Sequence, residues 1–356
     1  MTSMPVGLLC PKCHYSMARQ PTAFVCQGCG SIWEIRSSIV HLTNTKFYWG
    51  LLPEARMVEL LAKARQESYQ QAIYQILMPE KGIHIARYAI DESRDGFKVI
   101  LPLSRDAVVL DIGSGWGAVA ISLARSSKWV IAMDAVSQNL EFVHERALQE
   151  KVENITLLHA DPLDYMFVPI KSESVDIVLL NGVLEWIGTA LSEKSPSFYQ
   201  SQALKEINRV LKPGGTIYIG IENRFGFPLL LGRPDSHSGL RFATLMPRFL
   251  ASIYSRIIKR VDYRTYTYTR IGYESMLHAA GFNKVKFFWP VFTYQDPEYL
   301  VALDDHSALR YLLLRELYVP AKSVKKRLAL RFANLLDILG ILKFFVYSYS
   351  IIGIKK

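Results

Sequence analysis

The chain is short of cysteine, of acid and of long uninterrupted apolar runs. Four cysteines among 356 residues cannot staple a secreted disulfide scaffold. Residues 1–9 carry no basic flank ahead of an apolar run, so no secretory signal is expected there. The most apolar window, residues 335–354, is broken by Asp337 and Lys343 and makes a poor membrane span. Acidic residues number 32 against 42 basic ones, which leaves a formal charge of +10. That surplus admits nucleic acid, an anionic membrane face or an acidic substrate, and selects none of them. Half of the residues are hydrophobic, enough to bury a sizeable core, so a disordered chain is excluded.

The few cysteines are placed to a pattern. Cys10-Pro11-Lys12-Cys13 and Cys26-Gln27-Gly28-Cys29 form two CxxC pairs, each at a tight turn where two thiolates can reach one ion. Cys10, Cys13, Cys26 and Cys29 are therefore expected to close a tetrahedral structural Zn²⁺ site whose binding is part of the folding energy of a small ribbon. Redox pairs and free thiols are the competing readings, and His14 is expected to be a bystander. The segment Cys26–Leu42 resembles the zinc ribbons fused to, or partnering, methyltransferases.

Three regions follow from the patterning: a zinc ribbon over 1–45, a helical linker or cap over 46–104, and an α/β domain over 105–356. Pro53 and the apolar positions Val58, Leu61, Ala62, Tyr69, Ile73 and Ile76 predict a helix from Pro53 to about Leu77, with another over 83–90. From Ala107 the period changes. Short aliphatic runs at 108–111, 129–133, 155–158, 175–180 and 216–221 alternate with helical stretches, which means a parallel sheet covered on both faces. Lys212-Pro213-Gly214-Gly215 is expected to turn the chain into the fifth of these strands. The rhythm breaks at about 224–270 and 293–343, long excursions of the kind that carry specificity.

The first strand runs through Asp111 into Gly113-Ser114-Gly115-Trp116-Gly117 and then a helix. Glycines serve where backbone turns sharply against a ligand, and a dinucleotide fold competes for this pattern. The spacing is GxGxG rather than GxGxxG; the second strand ends in Asp134, suited to two ribose hydroxyls, and the third in His159-Ala160-Asp161, suited to an adenine amino group. Taken with residues 175–186 and Leu211-Lys212-Pro213-Gly214-Gly215, these motifs resemble those of the class I S-adenosylmethionine (SAM) methyltransferases. The resemblance implies an α/β, Rossmann-like sheet of seven strands, the last antiparallel, with SAM across the strand ends. It also implies that Asp111, Gly113, Ser114, Gly115, Gly117, Asp134, Asp161 and Asn181 bind the cofactor.

The acceptor is less legible. Asn181 is followed by Gly182-Val183-Leu184, so the Asn/Asp-Pro-Pro-aromatic signature of many amino-group methyltransferases is missing. The polar and aromatic segments 222–226, 232–240 and 263–268 resemble those of methyltransferases of bacterial glycan and natural-product pathways. His237 is the preferred general base, with Glu222, Glu185 and Tyr266 as alternatives; Tyr263, Tyr266 and Tyr268 could equally share one face of a strand. Two basic amphipathic helices are expected, around 241–260 and 322–339, packed on the domain, touching an anionic membrane or binding an RNA backbone, the last without a recognisable RNA-reading motif. The expected protein is a cytoplasmic SAM-dependent methyltransferase, with room for peripheral membrane contact, acting on a hydroxyl of a small molecule or glycan. An RNA methyltransferase gripping nucleic acid through ribbon and basic surface is the first alternative, and a non-catalytic SAM-fold partner protein the second.

Overall fold

The computed structural model describes residues 4–160, 167–291, 293–318 and 324–356. The cysteine-bearing segment folds into short antiparallel strands β1 (Met17–Arg19), β2 (Ala23–Cys26) and β3 (Ile32–Arg36), and β3 turns back into β4 (Ile39–His41). These strands are too short to enclose a core alone. Phe24, Trp33, Val40 and Leu42 instead join the core of the main domain.

The helix expected over 53–77 is broken. Helix α1 (Glu54–Gln66) buries Met57, Leu60, Leu61 and Ala64, while Val58 is exposed. At Glu67 the backbone leaves helical values (φ −120°, ψ −87°), and Ser68 caps α2 (Tyr69–Ala72) by accepting from the Gln71 N–H at 3.1 Å. A wide turn over Ile73–Leu77 leads into α3 (Met78–Ile90), which kinks at Gly82. A 3-10 helix, Glu92–Ile100, then supplies Arg94 and Phe97 to the domain.

Next comes the alternation expected of an α/β domain: β5 (Val108–Ile112), α4 (Ala118–Ala124), β6 (Trp129–Asp134), α5 (Ser137–Gln149), β7 (Ile155–His159), β8 (Val175–Asn181), α6 (Pro196–Val210) and β9 (Leu211–Glu222). The first excursion holds α7 (Phe227–Leu230) and α8 (Arg248–Lys259), and α9 (Arg270–Ala279) leads into β10 (Phe282–Val291). The second holds β11 (Tyr299–Ala302), α10 (His306–Tyr318) and α11 (Val324–Ile338), before β12 (Ser348–Lys355). Every residue of β5 and β6 is buried, as strands covered on both faces must be.

Seven strands in the order β7-β6-β5-β8-β9-β12-β10 form the expected centre, with β12 antiparallel to both neighbours. Among the described residues the sheet as a whole has twelve strands, not seven. Its outer edge at β7 offers unpaired backbone groups, and the ribbon's β4 pairs there in parallel, bringing β3, β2 and β1 with it. At the opposite edge β11 folds back antiparallel on β10. The Lys-Pro-Gly-Gly stretch belongs to β9 itself and is absorbed by a register shift between Val175 and Ile177. Residues 262–267 form no strand, so the alternating tyrosines do not line one.

Candidate active site

The strand ends of the central sheet carry two groups of buried polar side chains. On the cofactor side, β5 ends at Asp111 and passes into the glycine turn, where Gly113, Gly115 and Gly117 all have positive φ. A Cβ on Gly113 would strike Val183 and one on Gly117 would strike Val143, whereas one on Gly115 would meet nothing within 4 Å. Gly113 and Gly117 thus allow close packing within the protein, and Gly115 faces open space. Asp134, at the end of β6, accepts from the Gly115 N–H at 2.7 Å and the Val136 N–H at 2.9 Å, and so ties the turn to the next strand. Burial raises the Asp134 carboxyl above its usual range against those bonds.

Several polar atoms here await a partner. Asp111 Oδ2, Ser114 Oγ and both amide atoms of Asn181 are buried with no hydrogen-bond partner among the described residues. Burial, reinforced by the Asp134 charge, pushes Asp111 up to about 7, while Arg94 pulls the other way. Asn181 is seated by Gly220, whose Cβ would lie 2.4 Å from the Asn181 amide oxygen. An amino-acid-bearing nucleoside cofactor fits such a set, since it offers an ammonium for Asp111 and further polar atoms for Ser114 and Asn181. Asp161 lies outside the described residues.

On the other side, the ends of β8 and β9 and the first excursion converge. The His237 side chain is 6% exposed. Its Nδ1 lies 3.1 Å from Asp235 Oδ1, and its Nε2 lies 3.5 Å from Glu185 and 3.6 Å from Glu222. The Tyr294 hydroxyl lies 3.4 Å from both Glu222 oxygens. Glu185 is 1% exposed, and beyond that ion-pair contact its oxygens have no hydrogen-bond partner among the described residues. Burial alone would lower His237, but Asp235, Glu185 and Glu222 overcome it and raise the ring to about 10. Burial and then the Glu185 charge raise Glu222 to about 7. One ligand atom from each of Glu185, Glu222 and His237 falls within 4.8 Å of the others, a nest built for positive charge, which the imidazolium supplies.

His237 and Glu222 are thus brought together, with Glu185 beside them. Tyr266 is placed elsewhere: its ring lies 3.9 Å from the Arg248 guanidinium, and it packs with Leu240, Ala243 and Tyr263. Asn223 and Arg224 do not face an acceptor either. The Asn223 amide donates to the carbonyls of Phe344 and Val346, and Arg224 to those of Thr244 and Met246, so both fix the excursions in place. Asp235, Tyr294 and Arg94 carry no sequence signal beyond their residue type, and folding alone gathers them. Trp186 meets the His237 ring edge-on at 5.1 Å and touches Trp49 at 5.4 Å, so aromatic rings wall the cluster.

The four cysteines bring one sulfur each within 4.8 Å of one another. The N–H groups of Gly28 and Cys29 both point at Cys26 Sγ at 3.4 Å, as at a metal knuckle. That donor set fits a closed Zn²⁺ site. His14 turns away and stacks on Phe167 at 3.8 Å.

The strand order, the glycine turn and the polar strand ends are those expected of a class I SAM-dependent methyltransferase domain. Residues 110–219 match the family model described as a methyltransferase domain. An uncharacterised methyltransferase-like protein of Schizosaccharomyces pombe is 28% identical over 147 residues, 41% of this chain and 47% of its own length. The tRNA 5-carboxymethoxyuridine methyltransferase of Escherichia coli K12 is 29% identical over 122 residues, 33% of this chain and 41% of its own. The chain thus spans less than half the length of these curated relatives. Among solved structures, Haemonchus contortus phosphoethanolamine N-methyltransferase 2 in complex with SAM aligns with TM-score 0.42 and 16% identity, over 83% of this chain and 60% of its own. No helix among the described residues is long and apolar enough to cross a membrane.

Proposed function

We propose that the chain transfers a methyl group from SAM to a hydroxyl oxygen of a small-molecule or glycan acceptor, with Glu222 receiving the hydroxyl proton. The supporting observation is the buried Glu185–Glu222–His237–Asp235 cluster at the ends of β8 and β9, next to the strand that ends in Asn181. Bound SAM would supply the methyl group as an electrophile, held by Asp111, Ser114, Gly115, Asp134 and Asn181. A hydroxyl becomes a competent nucleophile as its proton leaves, and a base poised near neutrality suits that step. Glu222 fits because burial and Glu185 hold its carboxyl near 7. His237, oriented by Asp235, offsets the negative charge that gathers on the two glutamates. A single Zn²⁺ held by Cys10, Cys13, Cys26 and Cys29 would hold the ribbon against the sheet.

Incubation of the protein with methyl-labelled SAM and a glycan and metabolite extract, or with total RNA, tests the reading. Label in the glycan or metabolite fraction is expected. Label in RNA, with RNA binding that weakens as salt rises, overturns it in favour of nucleic acid.

A further inference from the structure

Helix α8 is mounted with its apolar side outward. Ala251 and Ser255 are its buried positions, both small. Phe249, Ile253 and Ile257, spaced along one face, are 66%, 49% and 68% exposed, and Leu250 and Ile258 extend the stripe. A helix that serves only to cover a core would be turned the other way.

The charge around this stripe has one sign. From Arg241 through Val261 there are five basic residues and no acidic one. Arg241 donates to the Gly232 carbonyl and Arg248 to that of Thr267, which leaves Arg256, Lys259 and Arg260 along and beyond the last turns, with Arg256 also meeting Asp262. A second copy seated on the stripe would set these cations against their own kind. An anionic lipid surface satisfies both features, taking the apolar face into the acyl boundary and the cations among the headgroups.

The stripe is also coupled to the buried cluster. Arg224, two residues beyond Glu222, fastens the carbonyls of Thr244 and Met246 just ahead of α8, and Lys259 lies against Gly239, two residues beyond His237. We propose that α8 docks on an anionic membrane and that the methyl acceptor is presented from it in lipid-linked form; this second part rests on the methyl-transfer reading of the cluster.

Co-sedimentation of the full chain with vesicles tests the docking without any turnover. Vesicles of phosphatidylcholine with phosphatidylglycerol should carry the protein down, and phosphatidylcholine alone should carry far less, with binding that falls as salt rises. The double variant Ile253→Asp/Ile257→Asp should lose at least about tenfold in partitioning, with SAM binding and thermal melting unchanged. A second variant, Arg256→Gln/Arg260→Gln, should lose binding chiefly at low salt. No binding to either vesicle, or binding by both variants equal to that of the parent, overturns the proposal. Concentration-dependent dimerisation abolished by the first variant would assign the stripe to a second copy instead. Vesicle binding that persists while SAM fails to bind would sink the methyl-transfer reading and leave the docking standing.

Discussion

The two halves of the same sheet edge bury carboxylates in opposite ways. On the cofactor half, Asp134 is held by backbone N–H groups that the glycine turn and the start of α5 deliver from nearby in the chain. On the acceptor half, Glu185 and Glu222 come from successive strand ends, and their compensating charge, His237, is brought in by an excursion. A locally compensated acid sets geometry and binding. An acid compensated from far away is poised to change its charge during a reaction.

The largest expected break of this contrast is Glu222→Gln. Turnover should fall about 10²- to 10⁴-fold, as for loss of a general base, while SAM binding by calorimetry stays close to that of the parent. The pH profile carries the same point. Glu222 faces Glu185, His237, Asp235 and the tyrosines 273, 294 and 347. Because its carboxyl is raised, it becomes a base only as pH climbs through about 7, so kcat/KM should rise across that range. It should decline again toward about 10, where His237 gives up its proton. These apparent values belong to the cluster as a whole, and the acidic limb should vanish in Glu222→Gln.

Asp134→Ala tests the other half, with the opposite signature. Losing the Gly115 and Val136 bonds should weaken SAM binding about 10- to 100-fold, the ~1.5–3 kcal/mol of a charged hydrogen bond. Turnover at saturating SAM should change far less, and calorimetry beside steady-state kinetics separates the two. Removal of zinc by a chelator should lower the melting temperature by more than about 5 °C, because metal binding is folding energy in so small a ribbon. It should also weaken SAM binding, since His41, His159 and Asp134 stand in one row across β4, β7 and β6. The smallest effect is expected of Tyr266→Phe, within about twofold in turnover, since the ring that meets Arg248 is kept.

The placing of Asp111, the glycine turn and Asp134 could be read from the sequence because each part is local. An apolar strand, a glycine turn and an acid at the next strand end lie within one βαβ unit, where period and spacing carry the signal. The four cysteines were legible for the same reason. The acceptor half was legible in part: Glu222 and His237 are suggestive residues, but no spacing in the chain announces that Asp235 orients the ring or that Tyr294 meets Glu222. Tyr266 shows the converse, an aromatic beside the right segment whose ring is taken by Arg248. The extra strands are not legible in the sequence, because pairing at a sheet edge depends on which backbone groups lie free in space, and side-chain pattern does not encode it.

The ribbon's parallel graft onto β7 has a consequence for the behaviour of the chain in a crowded solution. A twisted sheet with a bare edge is a template on which another extended segment can crystallise its own backbone. Here β4 covers Leu157, Leu158 and His159 of β7, and the sheet runs down through β3 and β2 to a three-residue end at β1 (Met17–Arg19). Such a tapering border gives a passing strand little to grip. Strands β1 to β4 therefore act as a hem, finishing the fabric of the sheet so that it recruits less further thread.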